Sequence, residues 1–281
     1  MTGVVEDLVG RYLTVDICGR SHRIYFEQSG SGPSLLCLHT AGADARQWRH
    51  ILNDPEICGR YRITAFDMPW HGKSTPPDGW QVEEYLLSTQ AYVDTVLAVA
   101  EALRLERPIL AGCSMGGRIA LQIAVDHADR FAGFIAIEAS DFQPAWYDID
   151  WFHRSDCHAG EMGAALVSAS ISPYAPEWSR WETQWMFMQA GPGVFRGDLA
   201  FYTRDASLIE RAAQIDTAIA PVHFLVGAYD LTCTPDDSRR TAERIVGATL
   251  EVMPELGHFP LSEHPQAFRP YFLRALERMR S

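Results

Sequence analysis

Short apolar runs return along this chain at wide intervals, and what separates them decides the fold class. Ser34-Leu-Leu-Cys-Leu-His39, Arg62-Ile-Thr-Ala-Phe-Asp67, Pro108-Ile-Leu-Ala-Gly-Cys113, Phe131-Ala-Gly-Phe-Ile-Ala-Ile137 and Val222-His-Phe-Leu-Val226 show little polar alternation. Such runs predict strands covered on both faces. Leu250-Glu-Val-Met253 is a weaker member of the set. Between the runs, Tyr85 to Leu103 carries Val93, Val96, Leu97, Ala100 and Leu103 at three- and four-residue spacing, which predicts a helix with one apolar face. Met115 to His127 is apolar almost all round (Ile119, Leu121, Ile123, Val125), which predicts a buried helix. Asp236 to Val246 and Gln266 to Met279 also read as helices. Buried strands alternating with helices predict an α/β fold, with a mostly parallel central sheet and helices on both faces. Right-handed crossovers restrict the topology further. Ahead of this pattern, Tyr12-Leu-Thr-Val-Asp-Ile-Cys18 and Arg23-Ile-Tyr-Phe-Glu27 predict a hairpin turning at Gly19-Arg20-Ser21.

The rhythm breaks between about Ala139 and Ser207. Five of the eight tryptophans fall there, and the stretch includes Trp146, Tyr147, Trp151, Phe152, Trp178, Trp181, Trp185 and Phe187. It then passes through the loop-like Gly191-Pro-Gly-Val-Phe-Arg-Gly197. Long structureless connections are uncommon, so the expected organisation is an α/β core of 1–138 and 208–281 with a mainly helical cap inserted at 139–207.

A length of 281 residues suffices for a sizeable core. The formal charge of −12, with no basic stripe, argues against a nucleic-acid partner and disfavours anionic membranes. The first residues lack a basic start and apolar run, and no stretch reaches the roughly 18 apolar residues of a membrane span. The cysteines are scattered without a Cys-x-x-Cys pair, which points to a reduced, cytoplasmic protein. His153 and His158 bracket Asp156 and Cys157 at a spacing that fits no zinc pattern, so no metal is expected.

The chemistry concentrates at Gly112-Cys-Ser-Met-Gly116, between a predicted buried strand and a predicted buried helix. A sharp strand-to-helix turn exposes a serine hydroxyl, and glycines two places either side leave room for it. The helix N-terminus adds positive potential and free N–H groups. Ser114 is therefore the candidate nucleophile and the Met115 N–H a candidate oxyanion donor. A bare N-cap serine is the plainer alternative.

With those residues in place, the chain resembles the α/β-hydrolase superfamily, in the branch that carries a cap after the sixth core strand. The likeness runs from the His39 loop to His258 and is weakest in the cap. It implies a triad ordered nucleophile, acid, histidine. His258, in Gly257-His258-Phe259-Pro260 after the last strand, takes the histidine position, with His264 a rival. Asp230, after the Val222 strand, takes the acid position. Glu138 and Asp141 are the fallback, and Asp236 and Asp237 read as first-turn helix carboxylates. The second oxyanion donor falls by position to the Ala41 N–H in His39-Thr-Ala-Gly42, where Thr40 replaces the family's usual glycine. His39 reads as a brace for that loop. Asp67-Met-Pro-Trp-His-Gly-Lys-Ser74 departs too, because Trp70 stands where glycine is usual; a bulky residue at positive φ is strained, so this turn is expected to take another shape.

The implied reaction is two-step acyl transfer needing no cofactor. The substrate expectation is a small apolar or aromatic ester, thioester or lactone, contacted by Thr40, Trp70, Trp181, Trp185, Met188 and Phe259. Trp70 either reaches the pocket mouth or merely packs, and the indole and methionine stripe either lines the pocket or forms the cap's own core. A carbon–carbon bond hydrolase acting on a β-diketone or ring-cleavage product uses the same triad. A small-molecule receptor on the same fold is the reading from another class.

Overall fold

A computed structural model describes residues 5–144 and 159–279. Trp146, Tyr147, Trp151 and Phe152, and the His153, Asp156, Cys157 and His158 group, lie outside the described residues. Eight strands form one sheet: β1 (Val9–Ile17), β2 (Arg20–Gly30), β3 (Ser34–Leu38), β4 (Arg62–Phe66), β5 (Ile109–Cys113), β6 (Gly133–Ile137), β7 (Val222–Gly227) and β8 (Thr249–Met253). Their spatial order is β1-β2-β4-β3-β5-β6-β7-β8. β2 runs antiparallel to both β1 and β4, and every other neighbouring pair is parallel.

The strands lie where the apolar runs predict, and the reason is visible in β3. Leu36 and Leu38 enter one hydrophobic core, while Leu35 and Cys37 enter another on the opposite face. The first core is closed by α1 (Thr89–Ala102), α2 (Met115–Asp126) and α6 (Pro235–Arg244). The second is closed by α7 (Pro265–Arg278) and the short helical turns around Trp48 and Ile57. Each fully buried aromatic such as Phe268 or Phe272 contributes about 1.5–3 kcal/mol relative to exposure. Caps set the helix starts. α1 begins at Thr89, later than its apolar pattern suggests, because the Ser88 hydroxyl accepts from the Ala91 N–H. α6 opens on a capping box between Thr234 and Asp237.

The hairpin turns one residue earlier than expected. Ile17 pairs with Arg20, so Cys18 and Gly19 are the loop, with φ of 52° and 75°. A two-residue turn of this hand needs positive φ at both positions, and Gly19 meets that at its second place.

Between β6 and β7 lie α3 (Ala159–Ala169), α4 (Glu177–Met188) and α5 (Val194–Arg204). α4 reverses the sequence expectation. Its indoles share one face, yet Trp181 and Trp185 are 63% and 60% exposed. The opposite face is buried because its hydroxyls find partners: Ser179 Oγ donates to the Glu263 carbonyl at 2.5 Å, and Thr183 Oγ1 donates to Ser262 Oγ at 2.9 Å. Met186 and Phe187 complete that buried face. Among the described residues no helix is long and apolar enough to cross a membrane.

Candidate active site

The chain passes from β3 to β4 on one side and returns to β5 on the other, so the sheet order reverses between β3 and β5. Ligands in open α/β sheets bind at the carboxyl ends beside such a reversal. The candidate residues gather there: the 39–43 loop follows β3, Ser114 follows β5, Glu138 follows β6, Asp230 follows β7 and His258 follows β8.

Ser114 sits at φ 52° and ψ −112°, a conformation few side-chain-bearing residues adopt. Bonds on both sides hold it, from the Ser114 N–H to the Ile137 carbonyl and from the Arg118 N–H to the Ser114 carbonyl, each 2.8 Å. The flanking glycines are required by contact. A Cβ on Gly112 would lie 2.2 Å from the Gly116 carbonyl oxygen, and one on Gly116 would lie 2.7 Å from the Leu38 Cβ. The Met115 N–H, first in α2, is one of the donors that a helix start leaves without an intrahelical partner.

His258 Nε2 lies 2.9 Å from Ser114 Oγ, and its Nδ1 lies 2.7 Å from Asp230 Oδ2. The carboxylate only accepts, so Nδ1 carries the proton and Nε2 accepts from the serine. Asp230 is itself fixed, because Oδ1 accepts from the Thr232 and Cys233 N–H groups at 2.7 and 2.9 Å. The His258 loop is braced from below by Glu263, whose carboxyl accepts from the Gly257, Phe259 and Ser172 N–H groups. Burial pushes the Glu263 carboxyl up to about 7.

The fallback acids do not touch His258. Glu138 accepts the Gly227 N–H on both oxygens at 2.9 Å and hydrogen-bonds Asp230. Burial, and after it the neighbouring Asp230, hold the Glu138 carboxyl well above the usual carboxyl range. Asp141 is engaged by Arg244 at 2.6 Å and Thr241 at 3.1 Å. His264 caps α7 by accepting from the Ala267 N–H.

In the loop after β3, the Thr40 N–H donates to Gln47 Oε1 at 2.9 Å, the Gly42 N–H to Asp198 Oδ2 at 2.7 Å, and the Ala43 N–H to the Thr40 carbonyl at 3.2 Å. The Ala41 N–H takes no partner among the described residues. His39 braces the loop: Nδ1 donates to the Thr40 carbonyl at 2.8 Å, and Nε2 accepts from the Met68 N–H at 3.1 Å. Burial pushes its pKa down to about 4, so the ring is neutral.

A cavity of about 450 Å³, counting its open mouth, lies over Ser114 and His258. Thr40, Ala41 and Phe259 border it. Trp70, Trp181, Trp185 and Met188 do not. The α4 indoles face outward for the reason given above, and Met188, last in the helix, is also exposed. Trp70 packs tilted against Tyr85 and edge-on against Trp80, with ring centroids 5.3 and 5.9 Å away. Its turn also corrects an expectation: Trp70 does adopt the positive φ, at 76°. Contacts to Asp67 hold that shape, because Oδ1 accepts from the Ala45 N–H and Oδ2 from the Lys73 N–H, at 2.8 and 2.7 Å.

The pocket's actual walls include Leu166, Val167, Phe187, Phe195, Leu199 and Tyr202. Phe195, Leu199 and Tyr202 follow an i, i+4, i+7 spacing on α5, a periodic signal that the tryptophans on α4 outweigh on a first reading. The Tyr202 hydroxyl stands 3.4 Å from Ser114 Oγ. Burial raises its pKa, so it remains a donor.

A family model described as the alpha/beta hydrolase family matches residues 35–270. A zearalenone hydrolase from Cladophialophora bantiana is 24% identical over 262 residues, covering 88% of this chain and 90% of that one. A probable esterase from Oryza sativa subsp. japonica is 24% identical over 278 residues, covering 93% of this chain and 97% of that one. Among solved structures, the enol-lactonase from Burkholderia xenovorans LB400 superposes with a TM-score of 0.80 at 18% identity, covering 95% of this chain and all of that one, which shows the shared fold.

Proposed function

This chain belongs to the α/β-hydrolase family, and from that premise we propose that it is a serine hydrolase cleaving a carboxylic ester, thioester or lactone of a small, apolar or aromatic substrate. The observation that carries this reading is the unbroken relay Asp230–His258–Ser114, at 2.7 and 2.9 Å, opening into the cavity. His258 takes the Ser114 proton as Oγ attacks the carbonyl carbon. Asp230 holds the imidazole tautomer and stabilises the cation that forms. The Ala41 and Met115 N–H groups face the developing oxyanion. His258 then returns the proton to the departing oxygen or sulfur, and water, activated by the same histidine, cleaves the acyl-enzyme. Tyr202 supplies a further hydroxyl donor at the reacting centre.

Two features support the substrate class. Leu166, Val167, Phe187, Phe195, Leu199 and Phe259 give the cavity an apolar side, and its lining holds no Asp, Glu, Lys or Arg among the described residues, which favours an uncharged acyl part. Relatives named as hydrolase and esterase fit carbonyl cleavage. The helices α3 to α5 belong to the 139–207 insertion, which we read as a cap over the 1–138 and 208–281 core.

The test is a panel of p-nitrophenyl esters of rising chain length, run with wild type and Ser114→Ala. Hydrolysis that falls roughly 10³-fold or more in the variant is the expected result. Undiminished turnover in Ser114→Ala, or none by folded wild type on esters and lactones alike, sinks this reading. The second outcome turns attention to β-diketones and to ligand binding without turnover.

A further inference from the structure

We propose that Asp198 is a positioning residue for the oxyanion hole: from the inserted helix α5 it holds Gly42, and so presents the neighbouring Ala41 N–H to the reacting carbonyl. This inference rests on the serine-hydrolase reading above.

Asp198 is completely buried, and its oxygens receive three donors. Oδ2 accepts from the Gly42 N–H at 2.7 Å and from His71 Nε2 at 2.8 Å, while Oδ1 accepts from the Tyr85 hydroxyl at 2.8 Å. His71 Nδ1 lies 2.9 Å from the Pro69 carbonyl oxygen. Both ring nitrogens of His71 thus face acceptors, so both carry protons and the ring is the cation of a buried ion pair. Burial alone would lower the His71 pKa; Asp198, with the Pro69 carbonyl and Asp67, more than reverses it, and the net shift is upward. The charge on Asp198 is therefore balanced locally, and its bond to Gly42 is charge-assisted and strong.

The 39–43 loop is gripped from two sides. Gln47, within the core, takes the Thr40 N–H, and Asp198, within the insertion, takes the Gly42 N–H. The amide between them, Ala41, takes no partner among the described residues, and Ala41 lines the cavity. Gly42 lets α5 approach so closely: its φ is 68°, and a Cβ there would lie 2.8 Å from Phe195 Cδ2. An oxyanion donor must stand about 2.7–3.1 Å from the forming charge, and losing one donor costs roughly 10²–10³ in kcat. A loop freed on one side should lose part of that.

The experiment compares wild type, Asp198→Asn and Ser114→Ala. Each is assayed for kcat and KM on p-nitrophenyl butyrate and for affinity toward n-butylboronic acid, whose adduct with Ser114 places a charged oxygen at the donors. We expect folded Asp198→Asn to lose roughly 10- to 100-fold in kcat, to keep KM within about threefold, and to lose boronate affinity by the same factor as kcat. Unchanged kcat and boronate affinity in a folded variant overturn the proposal, as does a lower kcat with boronate affinity intact. Should Asp198→Asn fail to fold, amide exchange in the wild type decides. The Gly42 N–H should be protected in the free enzyme, and the Ala41 N–H only once the boronate is bound; an Ala41 amide indifferent to the boronate overturns the inference. Retained hydrolysis by Ser114→Ala is a separate result, because it removes the serine-hydrolase reading itself.

Discussion

The sheet and the helices between β6 and β7 meet in one cavity but build their shares of it differently. Ser114, Asp230 and His258 each stand one to five residues beyond a strand, where ladder hydrogen bonds and close glycine contacts leave the backbone little choice. Leu166, Phe187, Phe195 and Tyr202 come from helix faces, and which face of a helix turns inward depends on what it docks against. On α4 two hydroxyls with partners outcompete a stripe of tryptophans for the buried side. Strand ends thus fix where the Ser114, Asp230 and His258 side chains meet, and helix docking fixes the shape of the cavity over them.

That contrast can be broken first at the relay. Asp230→Asn should lower kcat roughly 10³-fold or more, since the wrong histidine tautomer is then favoured, whereas Glu138→Gln should cost less than about tenfold. Steady-state kinetics on both variants tests this, and the reverse ranking would move the acid role to the end of β6. The support beneath His258 comes next. The folded pKa of Glu263 is raised to about 7, above an unfolded value of about 4.3. The native state therefore binds the proton more tightly, and this contribution to stability is full below about pH 4.3 and is lost as pH rises through 7. Urea titrations at several pH values should show the stability of wild type relative to Glu263→Gln declining across that window, by roughly 4 kcal/mol at most. A constant difference would mean that Glu263 titrates normally.

On the insertion side, Tyr202→Phe should cost about three- to tenfold in kcat/KM, the worth of one hydrogen bond. No change would make Tyr202 a wall and nothing more. The smallest effect belongs to the α4 indoles. Trp181→Ala and Trp185→Ala should leave kcat/KM within about twofold and stability within about 0.5 kcal/mol, as for exposed positions away from any site. A large loss in either would place that indole at the pocket after all.

Legibility followed the same division. The apolar runs disclosed the strands because a parallel strand buried on both faces has no freedom to alternate. The Gly112 to Gly116 motif disclosed the elbow because no larger residue fits at its glycines. The pocket walls were not legible: α4 offers two candidate faces, and the deciding partners, Ser262 and the Glu263 carbonyl, lie in a turn far along the chain. The Trp70 turn misled for a related reason. Positive φ in a bulky residue signals strain locally, but the Asp67 bonds that sustain it are tertiary. Asp198 gave no sequence signal at all, since its partners Gly42, His71 and Tyr85 come from three separate places.

The bond from Gly42 to Asp198 joins residues 156 positions apart, and it changes what counts as an interchangeable part. An inserted segment that merely sat on a finished core could be exchanged for another to obtain a new specificity. Here a foreign segment without a carboxylate at the Asp198 position would leave the buried His71 without its counter-ion and the loop unanchored. The unit that can be transplanted, or that can drift between relatives without penalty, is therefore the segment together with Gly42, His71 and Tyr85.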